Sequence, residues 1–358
     1  MAGEKVIISV INDLATDQRV HRVALTLHNE GYDVLLVGRK LKNSPEVNRV
    51  YKIKRFKLLF NKGPLFYACY NLRLFIFLLF AKCDILISND LDTLPANYCI
   101  SKIRKKKLIY DSHEYFTEVP ELINRPGTKK IWQKIERKIL PKIKYSYTVC
   151  ESLAEIYNEK YGINMKVIRN VPFYKEKIEK QDNPVKIIIY QGALNINRGL
   201  EEMISAMQFI DNAVFQIIGD GDIREKLIQL VKEKNLTDKV KFLGRKKLEE
   251  LHKYTANADL GISLEQKAGL NYYYSLPNKI FDNIQARIPV LCSDFPEMNK
   301  IVSKYNIGKT ISDYSPVAIS KKVKEILNTK YDNELFEKAA KELCWENEKT
   351  VLLEILRT

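Results

Sequence analysis

Residues 275–282 read Ser-Leu-Pro-Asn-Lys-Ile-Phe-Asp, a combination of residue types that can bind a phosphorylated ligand. The Leu276-Pro277 step predicts a turn, and Asn278 then begins a helix that carries Lys279 and Asp282 in its first turns. Free backbone N–H groups at a helix start, with a lysine beside them, attract a diphosphate. A carboxylate one turn further in can bind the adjacent hydroxyls of a ribose. The segment predicts a nucleotide-sugar site, unless the proline is merely a helix start and the aspartate merely solvated.

The length and charge of the chain limit what it can be. Its 358 residues allow two or three domains, and its formal net charge is +15. Residues 1–180 hold 33 Lys+Arg and 19 Asp+Glu, a net of +14, whereas residues 181–358 hold 26 and 25, a net of +1. We expect the basic half to face an anionic partner. The count alone leaves open whether that partner is nucleic acid, an anionic membrane surface or a phosphorylated lipid.

The cysteines and the start of the chain indicate a reducing compartment. No Cys-x-x-Cys pair and no histidine at metal-ligand spacing occurs, so we expect reduced core thiols with neither a zinc site nor a disulfide. The strand-like Val6–Val10 follows the first residues directly, which leaves no room for a signal peptide and predicts a cytoplasmic protein. The six cysteines are Cys69, Cys83, Cys99, Cys150, Cys292 and Cys344.

The first half alternates apolar strands with helices, as in a doubly wound parallel sheet. It contains no Gly-x-Gly-x-x-Gly, so a nicotinamide dinucleotide is not implied. The strand over 108–110 is followed by Asp111-Ser112-His113-Glu114. Functional groups of open parallel sheets lie at the carboxyl ends of strands, which places His113 for a cleft. A structurally satisfied histidine is the other interpretation.

Residues 64–80 form the most apolar segment of the sequence. They include Asn71 and Arg73 and are only about one short bilayer span long, so a transmembrane helix is not favoured. Two interpretations stay open, an ordinary core helix and a helix on a membrane surface. The second draws support from the nearby basic residues Lys52, Lys54, Arg55, Lys57 and Lys62.

The second half repeats the pattern of the first after a polar, charged stretch. Four predicted strands, starting at residues 186, 214, 240 and 260, each end at a glycine or polar turn, as a ligand cleft requires. The predicted fold class is therefore α/β, with two Rossmann-like domains facing a cleft. The boundaries are an N-terminal domain over 1–172, a linker over 173–184, a second domain over 185–330, and C-terminal helices over 331–358 that can pack back toward the first domain.

Six segments in order resemble the motifs of the retaining glycosyltransferases of glycosyltransferase family 4, which have the GT-B fold. They are Thr16–Val20, Asp111–Glu114, Gly192–Gly199, Gly219–Gly221, Phe242–Gly244 and Ser275–Asp282. The resemblance covers nearly the whole chain and is closest to members of bacterial polysaccharide assembly. It implies a hexosyltransferase-type enzyme that moves a sugar from a nucleotide-sugar, with UDP favoured, to a glycan or lipid-linked acceptor with retention. It implies neither a cofactor nor a metal.

In this family the second domain binds the donor and the first presents the acceptor. By position, the resemblance assigns catalytic roles to His113, Arg198 and Lys279, and acceptor-side roles to Asp17 and Arg19. The residues that it assigns to donor binding are Gly192, Gly219, Gly221, Gly244, Ser275, Leu276, Pro277, Asn278, Asp282 and Glu265.

Three features depart from the family pattern. Ala193 stands where an arginine is usual after the first glycine, and Lys279 is expected to replace that diphosphate contact. Tyr274 stands eight residues before Asp282, where the family has a glutamate, and Glu265 could serve the sugar from another loop. The glycine-rich acceptor loop of many members is replaced by Asp17-Gln18-Arg19.

Two other functions remain open at the level of sequence. Another GT-B activity, such as a nucleotide-sugar epimerase or an inverting transferase, would use the same donor site. A basic protein that binds nucleic acid or membranes would account for the charge, but the basic half has no nucleic-acid motif and the phosphate-site features lie in the neutral half. No nucleic-acid partner is therefore expected, and the protein is placed in the cytoplasm or at the inner face of the cell membrane.

Overall fold

The computed structural model describes residues 3–15, 17–123 and 125–358. Thr16, part of the first family-like motif, lies outside the described residues. The chain divides into two compact units. The first comprises Met1–Arg169 with Lys349–Thr358, and the second comprises Asn170–Glu348.

The first unit is built on a parallel sheet whose strands are β1 (Lys5–Asp13), β2 (Asp33–Arg39), β3 (Lys52–Phe56), β4 (Ile85–Asn89), β5 (Lys107–Ser112), β6 (Tyr145–Thr148) and β7 (Lys166–Val167). They lie in the order β3-β2-β1-β4-β5-β6-β7. The central strand β1 pairs with both β2 and β4 in parallel, so Val6 lies between Val34 and Ile85. Because helices cover both faces of such a sheet, its inner strands are buried on successive residues rather than on alternate ones, as in β4.

The helices of this unit are α1 (Gln18–Asn29), α2 (Gly63–Phe80), α3 (Asp90–Ile103), α4 (Pro120–Ile123), α5 (Pro126–Ile139) and α6 (Glu151–Tyr161), with 3-10 turns at Phe116–Glu118 and Leu140–Lys142. Asp17 caps α1 by accepting a hydrogen bond from the backbone N–H of Val20 at 3.1 Å. The last residues of the chain also belong here, since Lys107 donates to the backbone carbonyls of Ile355 and Leu356.

The second unit contains β8 (Lys186–Gln191), β9 (Ala213–Ile218), β10 (Val240–Gly244), β11 (Leu260–Ser263), β12 (Val290–Ser293) and β13 (Gly308–Ile311). They form a six-stranded parallel sheet in the order β10-β9-β8-β11-β12-β13. Its helices are α7 (Leu200–Ala206), α8 (Arg224–Glu233), α9 (Leu248–Ala256), α10 (Leu270–Tyr273), α11 (Asn278–Gln285), α12 (Pro296–Tyr305), α13 (Pro316–Asn328) and α14 (Asn333–Glu342), with a 3-10 turn at Met207–Phe209. The last helix, α15 (Trp345–Arg357), begins in this unit and ends in the first.

The predicted α/β class with two Rossmann-like domains is confirmed by these two parallel sheets. Two strands were not predicted from the sequence. The edge strand β3 alternates charged and apolar residues, and β13 reads Gly-Lys-Thr-Ile, so neither shows the apolar run of an inner strand. The sequence predicts a loop over residues 272–277 that turns at Leu276-Pro277, and this prediction is wrong at Tyr272 and Tyr273, which lie in α10.

Candidate functional site

The polar turns of the second unit meet at one edge of its sheet. In a parallel sheet all strands end at the same edge, so the turns after β8, β9 and β10 become neighbours. Gly192 donates its backbone N–H to the carbonyl of Ile218 at 3.0 Å, and Gly219 donates to the carbonyl of Gly244 at 3.0 Å. The predicted glycine turns therefore lie side by side.

A buried ionic cluster forms at this edge from Glu265, Lys279 and Arg198. Glu265 follows β11 and is fully buried. One of its oxygens binds Lys279 Nζ and lies 3.4 Å from Arg198 Nη1, and the other accepts from Ser263 Oγ at 2.7 Å. Both oxygens of Glu265 therefore have partners in the cluster, and its possible role at the sugar stays a prediction.

The charges of this cluster depend on its burial. Burial by itself would raise the pKa of Glu265, but Lys279, Arg198 and the Ser263 hydroxyl outweigh it and lower that pKa. Burial lowers the pKa of Lys279, with Glu265 opposing the change. The carboxylate is the more firmly charged partner, because two cations face one anion. The cluster therefore carries one net positive charge, which a bound anion would neutralise.

Arg198 is the member of the cluster that reaches solvent. Its side chain is 25% exposed, and its guanidinium lies 5.0 Å from the centre of the Tyr272 ring. Its Nε is buried and has no hydrogen-bond partner among the described residues. An unpaired buried donor costs free energy that an incoming anion can recover. The guanidinium is thus prepared to bind an oxyanion.

Asp282 lies one turn into α11, and Gln191 holds it. Gln191 donates from Nε2 to an Asp282 carboxylate oxygen at 2.8 Å and accepts from the Thr255 hydroxyl at 3.0 Å. The residue before α11 is Pro277, which has no polar side chain to cap the helix start. The acidic group and the helix start that the sequence predicted are therefore both present beside the ionic cluster.

Two of the predicted donor-site glycines have a packing role. A Cβ on Gly219 would lie 1.8 Å from the carbonyl oxygen of Gly192, and one on Gly221 would lie 2.5 Å from that of Leu194. A contact under 3.0 Å forces the backbone to move. These glycines allow one turn to approach the next. The sequence prediction assigned them to the nucleotide and did not include this packing role.

Gly219→Ala is expected to lower the free energy of unfolding by about 2–3 kcal/mol, because the added methyl overlaps a backbone oxygen and φ is +145°. The matched control is Gly127→Ala on α5, where a Cβ meets nothing within 4 Å. That control should leave the stability unchanged or raise it slightly. Urea unfolding of both variants measures the difference. Equal midpoints would contradict the packing role.

A second polar cluster lies in the first unit, at the carboxyl end of β5. Asp111 is fully buried and accepts two hydrogen bonds from Arg19, at 2.7 and 3.3 Å. His113 Nε2 lies 3.0 Å from the same carboxylate, and its Nδ1 lies 3.3 Å from Asp90. Asp90 also accepts the backbone N–H of His113 at 2.8 Å. The histidine is therefore held between two carboxylates.

This geometry sets the charge of His113. Burial alone would lower its pKa, but the charges of Asp111 and Asp90 raise it to about 9. Burial raises the pKa of Asp90, so Asp111, which Arg19 also binds, is the firmer anion of the two. At neutral pH His113 is an imidazolium that donates hydrogen bonds. It cannot act as a general base there.

Comparisons with known proteins identify the family of the chain. A model of the glycosyltransferase family 4 matches residues 17–172, and a model of the glycosyl transferases group 1 matches residues 172–343. The two matches join to cover most of the chain. The protein is a GT-B glycosyltransferase.

Solved structures share the fold of this glycosyltransferase at low identity. Sucrose-phosphate synthase from Thermosynechococcus elongatus has a TM-score of 0.79 at 16% identity, over 99% of this chain and 98% of that one. The lipopolysaccharide outer core galactosyltransferase WaaB has a TM-score of 0.71 at 13% identity, over 98% and 99%. Anabaena HepE in complex with UDP and glucose has a TM-score of 0.69 at 13% identity, over 99% of each chain. No protein of curated function matches the sequence significantly.

The structure of the glycosyltransferase brings some predicted site residues together and buries others in ion pairs. Arg198, Lys279 and Glu265 form one cluster, with Asp282 on the same helix as the lysine. The predicted acceptor-side residue Arg19 is 4% exposed and bound to Asp111. Sequence reasoning missed the contacts that position these groups. Gln191, Ser263, Asp90 and Tyr272 supply them. The first three lie at or directly after the carboxyl end of a strand, which was the available signal, whereas Tyr272 lies in α10.

Proposed function

We propose that this glycosyltransferase moves a sugar from a nucleotide-sugar donor to a glycan or lipid-linked acceptor, with retention of configuration, in surface polysaccharide synthesis. The observation that carries the donor site is the ionic cluster of Arg198, Lys279 and Glu265, in which a buried guanidinium nitrogen lacks a partner among the described residues. Retention is supported by the resemblance to family 4.

The donor diphosphate would bind at Arg198, Lys279 and the start of α11. As the sugar bond breaks, negative charge builds up on the leaving diphosphate, and preformed cations stabilise it without solvent reorganisation. Glu265 would act as a positioning residue that fixes the two cations through its paired oxygens. Ser275, Leu276, Pro277 and Asn278 would shape the loop that brings backbone N–H groups to the phosphates.

The nucleoside would lie over the glycine turns, with its ribose at Asp282. The Gln191 contact leaves the aspartate half-buried in a fixed orientation, as bidentate binding of two hydroxyls requires. Gly192, Gly219, Gly221 and Gly244 would form the floor of this site. UDP is the favoured carrier, and the structures of Anabaena HepE in complex with UDP and with UDP-glucose support that choice.

The first unit would present the acceptor. His113, an imidazolium whose two ring N–H groups face Asp111 and Asp90, would add positive charge where this unit presents the acceptor. Asp17 caps α1 and Arg19 binds Asp111, so these two residues would shape the acceptor loop from beneath. A lipid-linked acceptor would place the enzyme at the inner face of the cell membrane.

A thermal-shift titration tests the proposal. The purified protein is titrated with UDP, GDP, ADP, CMP and their sugars, without and with Mg²⁺. A ligand that binds only the native state raises Tm increasingly as its concentration exceeds Kd. One nucleotide should stabilise the wild type, and both Arg198→Ala and Asp282→Ala should weaken that effect. The absence of a shift with every nucleotide would remove the central support for the donor site.

A matched control and a product analysis complete the test. Arg224→Ala removes a guanidinium that binds the adjacent Glu225, and it should leave the nucleotide shift unchanged. Once a donor is known, NMR of the product gives the anomeric configuration. Inversion, or an epimerised free sugar, would overturn the retaining transfer while leaving the donor site standing.

A further inference from the structure

Helix α2 is apolar on the face that it turns away from its own domain. Its inner face packs in the core, and Phe66, Tyr70, Leu74 and Leu78 are at most 5% exposed. The opposite face carries large apolar side chains that are more than half exposed, namely Leu65, Leu72, Ile76 and Phe80. These four recur at helical spacing and so form one stripe. A helix that is apolar all round is typical of a buried or membrane-bound element.

Helix α2 has the length and composition of a membrane span, yet its hydrogen bonds hold it to the domain. Gly63–Phe80 is long and apolar enough to cross a bilayer, with 22% of it buried. Tyr70 donates its hydroxyl to the Val10 carbonyl at 2.6 Å, and Asn71 donates to the Asp92 carbonyl at 2.7 Å. Spanning a bilayer would break these bonds and expose the inner face. The helix is therefore arranged to lie on a surface.

The loop before α2 extends the apolar stripe. Leu59 is 91% exposed and Phe60 is 43% exposed. A groove of about 430 Å³ runs between β3 and α2, with Leu59, Leu72 and Ile76 among its lining residues. Exposed apolar side chains that cluster within a rim of polar residues are typical of an interaction surface.

The charges around this stripe indicate the chemistry of the partner. Residues 47–83 contain eight Lys or Arg and no Asp or Glu. Lys54, Lys57, Lys62 and Lys82 are exposed and form no ion pair within the part of the chain that the structure describes. We name the stripe with these lysines the α2 face, made of Leu59, Phe60, Leu65, Leu72, Ile76 and Phe80 with Lys54, Lys57, Lys62 and Lys82.

We propose that the α2 face docks the protein on an anionic lipid bilayer, with α2 parallel to the membrane plane. The apolar side chains would enter the boundary between headgroups and acyl chains, and the lysines would bind headgroup phosphates. A second copy of the chain is a poorer partner, because a two-fold contact would bring each lysine cluster against the other. The inference does not depend on the donor or the sugar.

Co-sedimentation with vesicles tests the proposal. The full-length protein is mixed with vesicles of phosphatidylcholine alone, or of phosphatidylcholine with one quarter phosphatidylglycerol. We expect binding to the anionic vesicles that falls with added salt. Leu72→Ser/Phe80→Ser should weaken it by about tenfold or more, since two apolar contacts are lost. Lys57→Gln/Lys62→Gln should weaken it by about fivefold for each lysine.

Matched controls come from the second unit. Phe209→Ser/Val317→Ser changes two exposed apolar residues, and Lys232→Gln/Lys253→Gln changes two exposed lysines. Neither pair should alter vesicle binding. The described Trp132 and Trp345 are both buried, so the fluorescence of a Phe80→Trp variant reports on this face and should shift to the blue with anionic vesicles.

Three results would overturn the proposal. The first is no vesicle binding by the wild type, and the second is equal binding by the α2-face and control variants. The third is a dimer without lipid that Leu72→Ser/Phe80→Ser converts to a monomer, which would assign the face to a second copy. If a nucleotide still raises the Tm of the protein, any of these results would overturn membrane docking and leave the proposed transferase activity standing.

Discussion

Arg198→Ala is expected to lower kcat about 10²- to 10³-fold while leaving the protein folded. Arg198 is the solvent-reaching cation of the donor cluster and carries a buried Nε without a partner among the described residues. Removing it takes away a preformed charge from the leaving diphosphate. Stability should change little, because Glu265 keeps its contacts with Lys279 and Ser263.

The assay is release of the nucleoside diphosphate from the donor that the nucleotide titration identifies. Arg224→Ala is the control for loss of a guanidinium in the same unit, and its kcat should equal that of the wild type. Arg198→Lys should keep part of the rate, because a lysine supplies the charge but not the planar fork of donors. A wild-type kcat in Arg198→Ala would exclude this residue from the chemical step.

Asp111→Asn is expected to lower the free energy of unfolding by about 3–5 kcal/mol, because it leaves the buried Arg19 and the partly buried His113 without their main anion. Asp111 is fully buried, and both Arg19 and His113 bind it. The control is Asp33→Asn on β2, whose partner Lys52 is largely solvent-exposed. That change should cost less than about 1 kcal/mol. Urea unfolding compares the two, and equal midpoints would show that the Asp111 pair contributes no more than a surface pair.

The same variant should change how stability depends on pH. The pKa of His113 is raised from 6.5 to about 9. The stability that His113 contributes is therefore fully present below pH 6.5 and is lost as the pH rises through 9. The pKa of Asp111 is lowered from 3.8 to about 2, mainly by Arg19 and His113 against the effect of burial. Its contribution is complete above pH 3.8 and is lost as the pH falls through 2.

As far as His113 and Asp111 determine it, the stability of the wild type should be highest between about pH 4 and 6.5 and should fall toward pH 9. In Asp111→Asn the loss above pH 6.5 should be smaller, because only Asp90 remains to raise the histidine pKa. Midpoints measured at pH 6 and pH 9 give the two slopes. An unchanged slope would show that His113 does not titrate through this contact.

The elements that the sequence predicted well are those whose signals are local. An apolar run bounded by a glycine or polar turn identifies β8, β9 and β11, because the run and the turn lie within a few residues of each other. The start of α11 was equally accessible, since Pro277 and the residues after it form one short pattern. The edge strand β3 was missed because one of its faces is solvated.

The sequence by itself determined the two-unit α/β fold and which strand ends carry polar groups, since strand and turn signals are local and parallel strands end together. Only the tertiary structure decided which partners the charged site residues have and which charges they carry. Glu265 meets Lys279 and Arg198 across separations of 14 and 67 residues, and Asp111 meets Arg19 across 92. The pKa of His113 and the pairing of Glu265 follow from burial and from contacts between distant segments. Such contacts leave no pattern in any short stretch of sequence.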